Sequence, residues 1–119
     1  MMRCPICTER LEITQMSCHS CDICIEGSFR APRLARLTPE HQKFVEALVL
    51  CGGNLKDLTE VLEISYPTLR KRLDTVIDAM RSLKKQDEKE IGHILQQIEA
   101  GTLSAEKGLR QIKELNGEL

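Results

Sequence analysis

Apolar residues recur at helical spacing on both sides of a short break in the middle of the chain, at residues 63–65. Before the break, Leu55, Leu58 and Leu62 fall at positions i, i+3 and i+7 and therefore share one helical face. After it, the same kind of spacing continues at Leu69, Leu73, Val76, Ile77 and Met80. Two short amphipathic helices joined by a tight turn are typical of a helix-turn-helix, although an ordinary helical hairpin shows the same spacing.

Polar side chains mark where these two helices begin. Asn54 and Ser65 suit N-cap positions, and Pro67 suits the first turn of a helix because its missing amide proton would have no intrahelical acceptor. Three consecutive cations follow closely, at residues 70–72. Because a recognition helix contacts bases near its N-terminus, this cluster favours a DNA-reading helix-turn-helix over an ordinary hairpin.

A third helix is predicted ahead of these two. Thr38 is a suitable N-cap, Pro39 suits the first helical position, and the pair Gly52 and Gly53 supplies a C-terminal stop. Its inward-facing residues are Phe44, Val45, Leu48 and Val49. The pattern therefore predicts a three-helix domain.

Two cysteine pairs near the N-terminus predict a metal site. Cys4 and Cys7 form one CxxC pair, and Cys18 and Cys21 form another after a ten-residue spacer. Four thiolates at this spacing are typical of a structural zinc site, and one Zn²⁺ per chain is expected. Cys24 makes a further overlapping CxxC, so it could replace Cys21 as the fourth ligand. Alternating apolar and polar residues between the pairs indicate short strands, which together with the knuckles make a zinc ribbon.

A basic segment links the ribbon to the helices. It carries Arg30, Arg33 and Arg36 and no acidic residue, and Pro32 argues against an early helix. One interpretation is an extended arm that lies along a phosphate backbone. The other is a tether with solvated arginines that docks on the helical core through Phe29, Leu34 and Leu37.

The C-terminal third predicts a charged joint followed by a helical hairpin. The joint, at residues 82–90, is interpreted as helical but not core-forming. The hairpin is too short to bury its apolar stripe alone, so it must pack on the main domain, on a partner or on another copy. We expect a dimer or larger oligomer through this stripe, which comprises Ile91, Ile94, Leu95, Ile98, Leu109, Ile112 and Leu115.

The predicted fold is therefore mainly α, with short β-strands only in the ribbon. Its segments are a zinc ribbon at 1–26, a basic linker arm at 27–37, the helix-turn-helix domain at 38–81, the joint at 82–90 and the hairpin at 91–119.

Composition limits the cellular setting and the partners. No apolar run approaches the roughly 20 residues that span a bilayer, and no signal peptide is recognised, so a cytoplasmic protein without membrane association is expected. In that compartment six cysteines favour metal binding over disulfides. The net charge of −1 is unusual for a DNA-binding protein, so any basic surface must be local.

Several motifs in order resemble the bacterial "domain of unknown function 2089" family. They are the two CxxC pairs, then residues 25–27 and 32–37, and finally residues 53–56 and 64–68. The resemblance implies a zinc ribbon followed by a helix-turn-helix similar to the DNA-reading region of sigma factors. Cys24 departs from the family pattern, which leaves the fourth ligand open. The C-terminal hairpin resembles the short SHOCT-like hairpin of several bacterial regulators, whose proposed role is oligomerisation.

Two function classes follow from these patterns. The first is a DNA-binding transcriptional regulator, with DNA contacts expected from Arg30, Arg33, Arg36, Tyr66, Thr68, Arg70 and Lys71. The second is an adaptor that binds a sigma factor, polymerase or another regulator, which the acidic balance and the acids Asp74 and Asp78 favour. An enzyme is not expected, because no nucleophile with a base at recognisable spacing and no phosphate loop occurs.

Overall fold

A computed structural model describes residues 3–117 of the chain, which divides into two compact units. One unit combines the N-terminal segment up to Pro32 with the C-terminal segment from Lys89 onward, and the other comprises Arg33–Glu88. The described residues form one two-stranded sheet and five helices, so the mainly α fold predicted from the sequence is confirmed.

The ribbon of the first unit is an antiparallel hairpin of β1 (Ile13–Cys18) and β2 (Ile23–Phe29). Cys18 pairs with Ile23 at the turn, and an irregularity in the register lies near the start of β1. Almost every side chain of the two strands is exposed. A two-stranded sheet with so little burial is marginal in water by itself, so the ribbon needs a further stabilising element.

The second unit begins with α1 (Arg33–Arg36), where the sequence predicts an extended arm. Pro32 lies directly before the first helical residue, where its fixed φ and missing N–H do no harm to the helix. Leu37 then enters the hydrophobic core of this unit. The extended-arm interpretation is therefore wrong for residues 33–37.

Three further helices complete the predicted helix-turn-helix. Helix α2 spans Pro39–Leu50, α3 spans Leu55–Leu62 and α4 begins at Tyr66. The caps are those predicted: the side chain of Thr38 accepts a hydrogen bond from the His41 N–H, and that of Asn54 accepts from two N–H groups of α3. The buried core residues of the unit are Leu37, Phe44, Leu58, Leu69 and Val76.

Helix α4 continues to Glu99 and is 34 residues long, so the joint at residues 82–90 is helical, as predicted, and continuous with the helix on both sides. The chain contains no glycine or proline between Pro67 and Gly92, and most residues of the supposed joint are good helix formers. Leu83 packs against the core and Asp87 is buried, which corrects the expectation that this stretch makes no core.

The first unit closes with a hairpin of the end of α4 and α5 (Ala105–Leu115). Gly101, with a φ of 76°, terminates the longer helix, and Ser104 caps the shorter one. Gly108 is buried against Ile98: a Cβ added there would lie 2.4 Å from the Ile98 Cδ1. The close approach of the two helices therefore depends on a residue without a side chain.

Candidate zinc and DNA-binding sites

Each CxxC pair forms a knuckle whose backbone N–H groups point at the first sulfur. The N–H of Ile6 lies 3.4 Å from the Cys4 Sγ, and the N–H of Cys7 also contributes. In the second knuckle the N–H groups of Cys21 and Ser20 do the same for Cys18. The two knuckles therefore repeat one arrangement.

These N–H groups favour the ionised sulfur. Backbone hydrogen bonds from Cys7 and Ile6 lower the pKa of the Cys4 thiol below its usual value, and those from Cys21 and Ser20 lower the pKa of Cys18. A thiolate, not a thiol, is the form that binds zinc. Each knuckle is thus chemically prepared for a metal ion.

The backbone after each knuckle also follows the same path. Thr8 and Asp22, which directly follow Cys7 and Cys21, both adopt the left-handed conformation, with φ values of 62° and 54°. A residue with a side chain avoids this region unless the local structure requires it. The repeated turn supports two equivalent halves of a tetrahedral sulfur site, a donor set that suits Zn²⁺.

The two halves are not drawn together into one cluster. Within residues 3–117, no group of three or more His, Cys, Asp or Glu side chains is close enough to hold a metal ion. The structure brings together the two members of each pair, which are Cys4 with Cys7 and Cys18 with Cys21.

Cys24 lies apart from the second knuckle. It pairs with Ser17 across the sheet, and its Sγ is 3.6 Å from the Ser17 Oγ. Because successive side chains of a strand point to opposite faces, Cys24 and Ser17 share one face while Cys18 lies on the other. Hydrogen bonds from Ser17 and Gln15 lower the pKa of the Cys24 thiol, so its environment is polar and independent of the knuckle.

The N-terminal end of α4 combines a buried anchor with exposed polar side chains. Leu69 has no exposed surface, whereas Tyr66, Thr68, Arg70 and Lys71 are all exposed. At about 100° per residue, these four divide into two stripes: Tyr66 with Arg70, and Thr68 with Lys71. The side chains predicted to contact DNA therefore do not form a single row, and Lys71 lies nearest to the side of the helix opposite Leu69.

Hydrogen bonding and charge differ between the two stripes. The hydroxyls of Thr68 and Ser65 lie 2.9 Å apart, so Thr68 takes part in capping the helix. Arg70 pairs with Asp74 one turn later, at 3.4 Å, with both side chains about half exposed. Such an exposed pair contributes little to stability, so Arg70 can readily leave Asp74 for another anion. Lys71 makes no ion pair among the described residues.

The three linker arginines are all held by carboxylates. In the helix-turn-helix unit, Arg33 Nε and Arg36 Nη2 donate to the same Asp87 oxygen, at 2.7 and 2.6 Å. In the ribbon unit, Arg30 pairs with Glu90. The structure thus places each of these arginines in an ion pair and none as a free cation, and their contact with DNA stays a prediction.

Asp87 is a buried, ion-paired residue that the sequence interpretation missed. Its side chain is 1% exposed, and burial by itself would raise its pKa, yet the hydrogen bonds and charges of Arg36 and Arg33 hold the pKa of the carboxyl below its usual range. A signal was present: Asp87 continues the inward spacing of Met80 and Leu83 along α4. A single acid on an apolar stripe indicates a buried and paired carboxylate, but the sequence does not show which cations pair with it.

Comparison with protein-family models agrees with this geometry. The model described as "DUF2089 zinc ribbon" matches residues 4–35, and the model described as "Domain of unknown function (DUF2089)-HTH" matches residues 37–82. No curated protein and no solved structure gives a significant match. Among residues 3–117, none of the helices has the length and apolar character needed to cross a membrane. With both of its models matched in order over most of the chain, the protein belongs to the DUF2089 family and carries that family's zinc ribbon and helix-turn-helix.

Proposed function

We propose that the protein is a DNA-binding transcriptional regulator that reads DNA with the first turns of α4. The observation that carries the proposal is the combination of Leu69, which has no exposed surface, with the exposed polar residues around it. A recognition helix must be fixed firmly to its domain while its N-terminal side chains reach base edges and phosphates.

The two cations of this helix take different roles. Lys71, which has no ion-pair partner among the described residues, contacts phosphate. Arg70 exchanges Asp74 for a base edge or phosphate, since its exposed pair with that acid is weak. Tyr66 and Thr68 add contacts from the two flanks of the helix.

The linker arginines support the helix and are not part of its DNA contacts. Arg33 and Arg36 hold α1 to α4 through Asp87, and Arg30 is occupied by Glu90. Moving either of the first two to a phosphate would leave the buried Asp87 carboxylate with one partner fewer. DNA contact is therefore assigned to α4.

The ribbon holds one structural Zn²⁺ through Cys4, Cys7, Cys18 and Cys21. When bound, the ion would cross-link the two knuckles. With four protein ligands it would have no open coordination position for catalysis. The repeated knuckle geometry supports this ligand set, and the placement of Cys24 on the face of β1–β2 opposite Cys18 supports leaving Cys24 out of it. Reduced thiols of this kind fit a cytoplasmic protein. No catalytic role is assigned to any residue.

The hairpin of α4 and α5 makes the protein a homo-oligomer. Leu95 and Leu109 remain about half exposed although both belong to its apolar stripe. Covering them with a second copy would bring two recognition helices into one assembly, as two half-sites require.

An adaptor function is the second candidate, and a specific observation favours it. Within residues 37–82 acidic residues outnumber basic ones by one, and Asp74 and Asp78 lie on the outward side of α4. On the ribbon, Met16, Ile23 and Ile25 are about half exposed and share one face of the sheet. A protein partner would cover these apolar side chains.

A binding assay on fragmented genomic DNA separates the two candidates. The zinc-loaded chain is expected to retain a subset of fragments, and Lys71→Gln should weaken all of them. The matched control is Arg81→Gln, an exposed cation further along α4 that should leave binding unchanged. If no fragment is retained at low salt, the adaptor function replaces DNA binding.

A further inference from the structure

An open cleft of about 430 Å³ lies within the helix-turn-helix unit, between α2, the end of α3 and α4. Its floor is apolar and comprises Phe44, Leu62 and Val76, of which Phe44 and Val76 are also core residues. A volume of this size falls in the range of about 300–1,000 Å³ that small-molecule sites occupy. The cleft is therefore large enough for a small organic ligand.

The rim of the cleft carries an excess of positive charge. Lys43 and Arg72 provide two cations, and Glu40 provides the one acid. Neither cation makes an ion pair among the described residues, in contrast to the linker arginines. The rim thus matches a ligand with a single negative charge.

Arg72 belongs by sequence to the cationic cluster of α4 and lies at the edge of its candidate DNA-contacting side, about 40° around the helix from Thr68. At about 100° per residue, Arg72 lies well away from the stripe of Tyr66 and Arg70 and toward the helix flank that faces α2. Thr75, one turn later, lines the same cleft. Arg72 therefore borders both the candidate DNA-contacting side of α4 and the cleft.

We propose that this cleft binds a small amphipathic carboxylate, with its aliphatic part on the Phe44–Leu62–Val76 floor and its carboxylate between Lys43 and Arg72. The planar guanidinium of Arg72 suits a carboxylate because two N–H groups can donate to its two oxygens. The apolar floor distinguishes this ligand from inorganic anions, and the cationic rim distinguishes it from alcohols and amines of the same length. The site depends on the fold of the unit and not on DNA binding.

Octanoate is the probe, with octylamine and octanol as matched ligands that keep the chain and change the head group. The zinc-loaded full chain is titrated with each, at concentrations where the probe is monomeric, and amide shifts are followed by ¹⁵N NMR. Octanoate should shift the amides of Phe44, Leu62 and Val76 saturably. Octylamine should bind at least several-fold more weakly, because its head group meets two cations.

Two variants test the assignment of the head-group site. Arg72→Gln should weaken octanoate binding by at least about tenfold, because the charge-assisted hydrogen bonds of the guanidinium are lost, and should not change octanol binding. Arg81→Gln, an exposed arginine outside the cleft, should change neither. Equal binding of octanoate and octylamine, or an unchanged octanoate affinity in Arg72→Gln, overturns the proposal. It is also overturned if octanoate shifts none of the three amides while Arg72→Gln weakens DNA binding, since the rim would then be a phosphate contact.

Discussion

Arg36 Nη2 donates a hydrogen bond to Asp87 Oδ2 at 2.6 Å, between two side chains that are only 6% and 1% exposed. This pair joins α1 to the middle of α4, across 51 positions of the sequence. Arg33 binds the same oxygen from one turn earlier in α1. The linker is thus a structural clamp of the helix-turn-helix unit, in which two cations share one buried acid.

The clamp makes Asp87 a sensitive position for stability. Asp87→Ala leaves the buried Arg36 guanidinium without its partner and should lower the free energy of unfolding by about 3–5 kcal/mol, as measured by urea denaturation. Glu88→Ala, which changes the exposed neighbour on the same helix, is the control and should have little effect. If both variants lower the free energy of unfolding by a similar amount, the ion pairs of Asp87 are not the cause of the loss.

The same carboxyl predicts an acid-sensitive component of stability. Arg36 and Arg33 hold the pKa of Asp87 below its usual value of 3.8, so below that pH the unfolded chain binds more protons than the folded one. This component is fully present above pH 3.8 and is lost as the pH falls through the folded pKa. The difference in unfolding free energy between the wild type and Asp87→Asn should therefore shrink on acidification, and a difference that stays constant would contradict the ion-pair account.

Zinc content distinguishes the two cysteines that the spacing left open. Cys21→Ser should lower the zinc per chain and loosen the ribbon, because the second knuckle loses its second sulfur. Cys24→Ser is the matched change three residues later. It should leave the zinc content unchanged, because the Cys24 side chain lies on the opposite face of the sheet from Cys18. Release of zinc by Cys24→Ser alone would assign the fourth ligand to Cys24.

The hairpin prediction concerns assembly. Leu95→Lys with Leu109→Lys places two charges on the exposed part of the apolar stripe and should convert an oligomer to a monomer in light scattering. Val49, in the other unit, was predicted to face inward but is exposed, so Val49→Lys should leave the mass unchanged. A wild-type chain that is monomeric at high concentration would remove the proposed interface.

The sequence predicts the parts of this fold that depend on local spacing. Leu58 and Leu69 fall on the predicted inward faces and have no exposed surface, and the Asn54 and Thr38 caps form as expected, because periodicity and capping are properties of neighbouring residues. The clamp is different. The clamp depends on Arg36 contacting an acid 51 residues away, which local spacing does not reveal. The charge-rich stretch that contains this acid is typical of a solvent-exposed segment.

Helix α4 shows a related limit of sequence interpretation. The run rich in Lys and Glu at residues 82–90 is helical, as predicted, and without glycine or proline nothing ends the helix there. The prediction that this stretch forms no core is wrong, because the polarity of the run does not show that Leu83 and Asp87 face inward. For the candidate DNA site, the residue types and their helix were predictable, but the ion pairs of the linker arginines follow only from the placement of residues far apart in the sequence.

Salt dependence of DNA affinity tests the central claim, that α4 and not the linker contacts DNA. With Arg70 and Lys71 as the phosphate-contacting cations, log affinity should fall with log salt at a slope of about −2 per chain, and Lys71→Gln should make it shallower by about one. Arg33→Gln, which keeps the Arg36–Asp87 pair, should leave the slope unchanged. A slope of about −4 to −5 that Arg33→Gln makes shallower would place the linker arginines on the phosphate backbone and contradict the account.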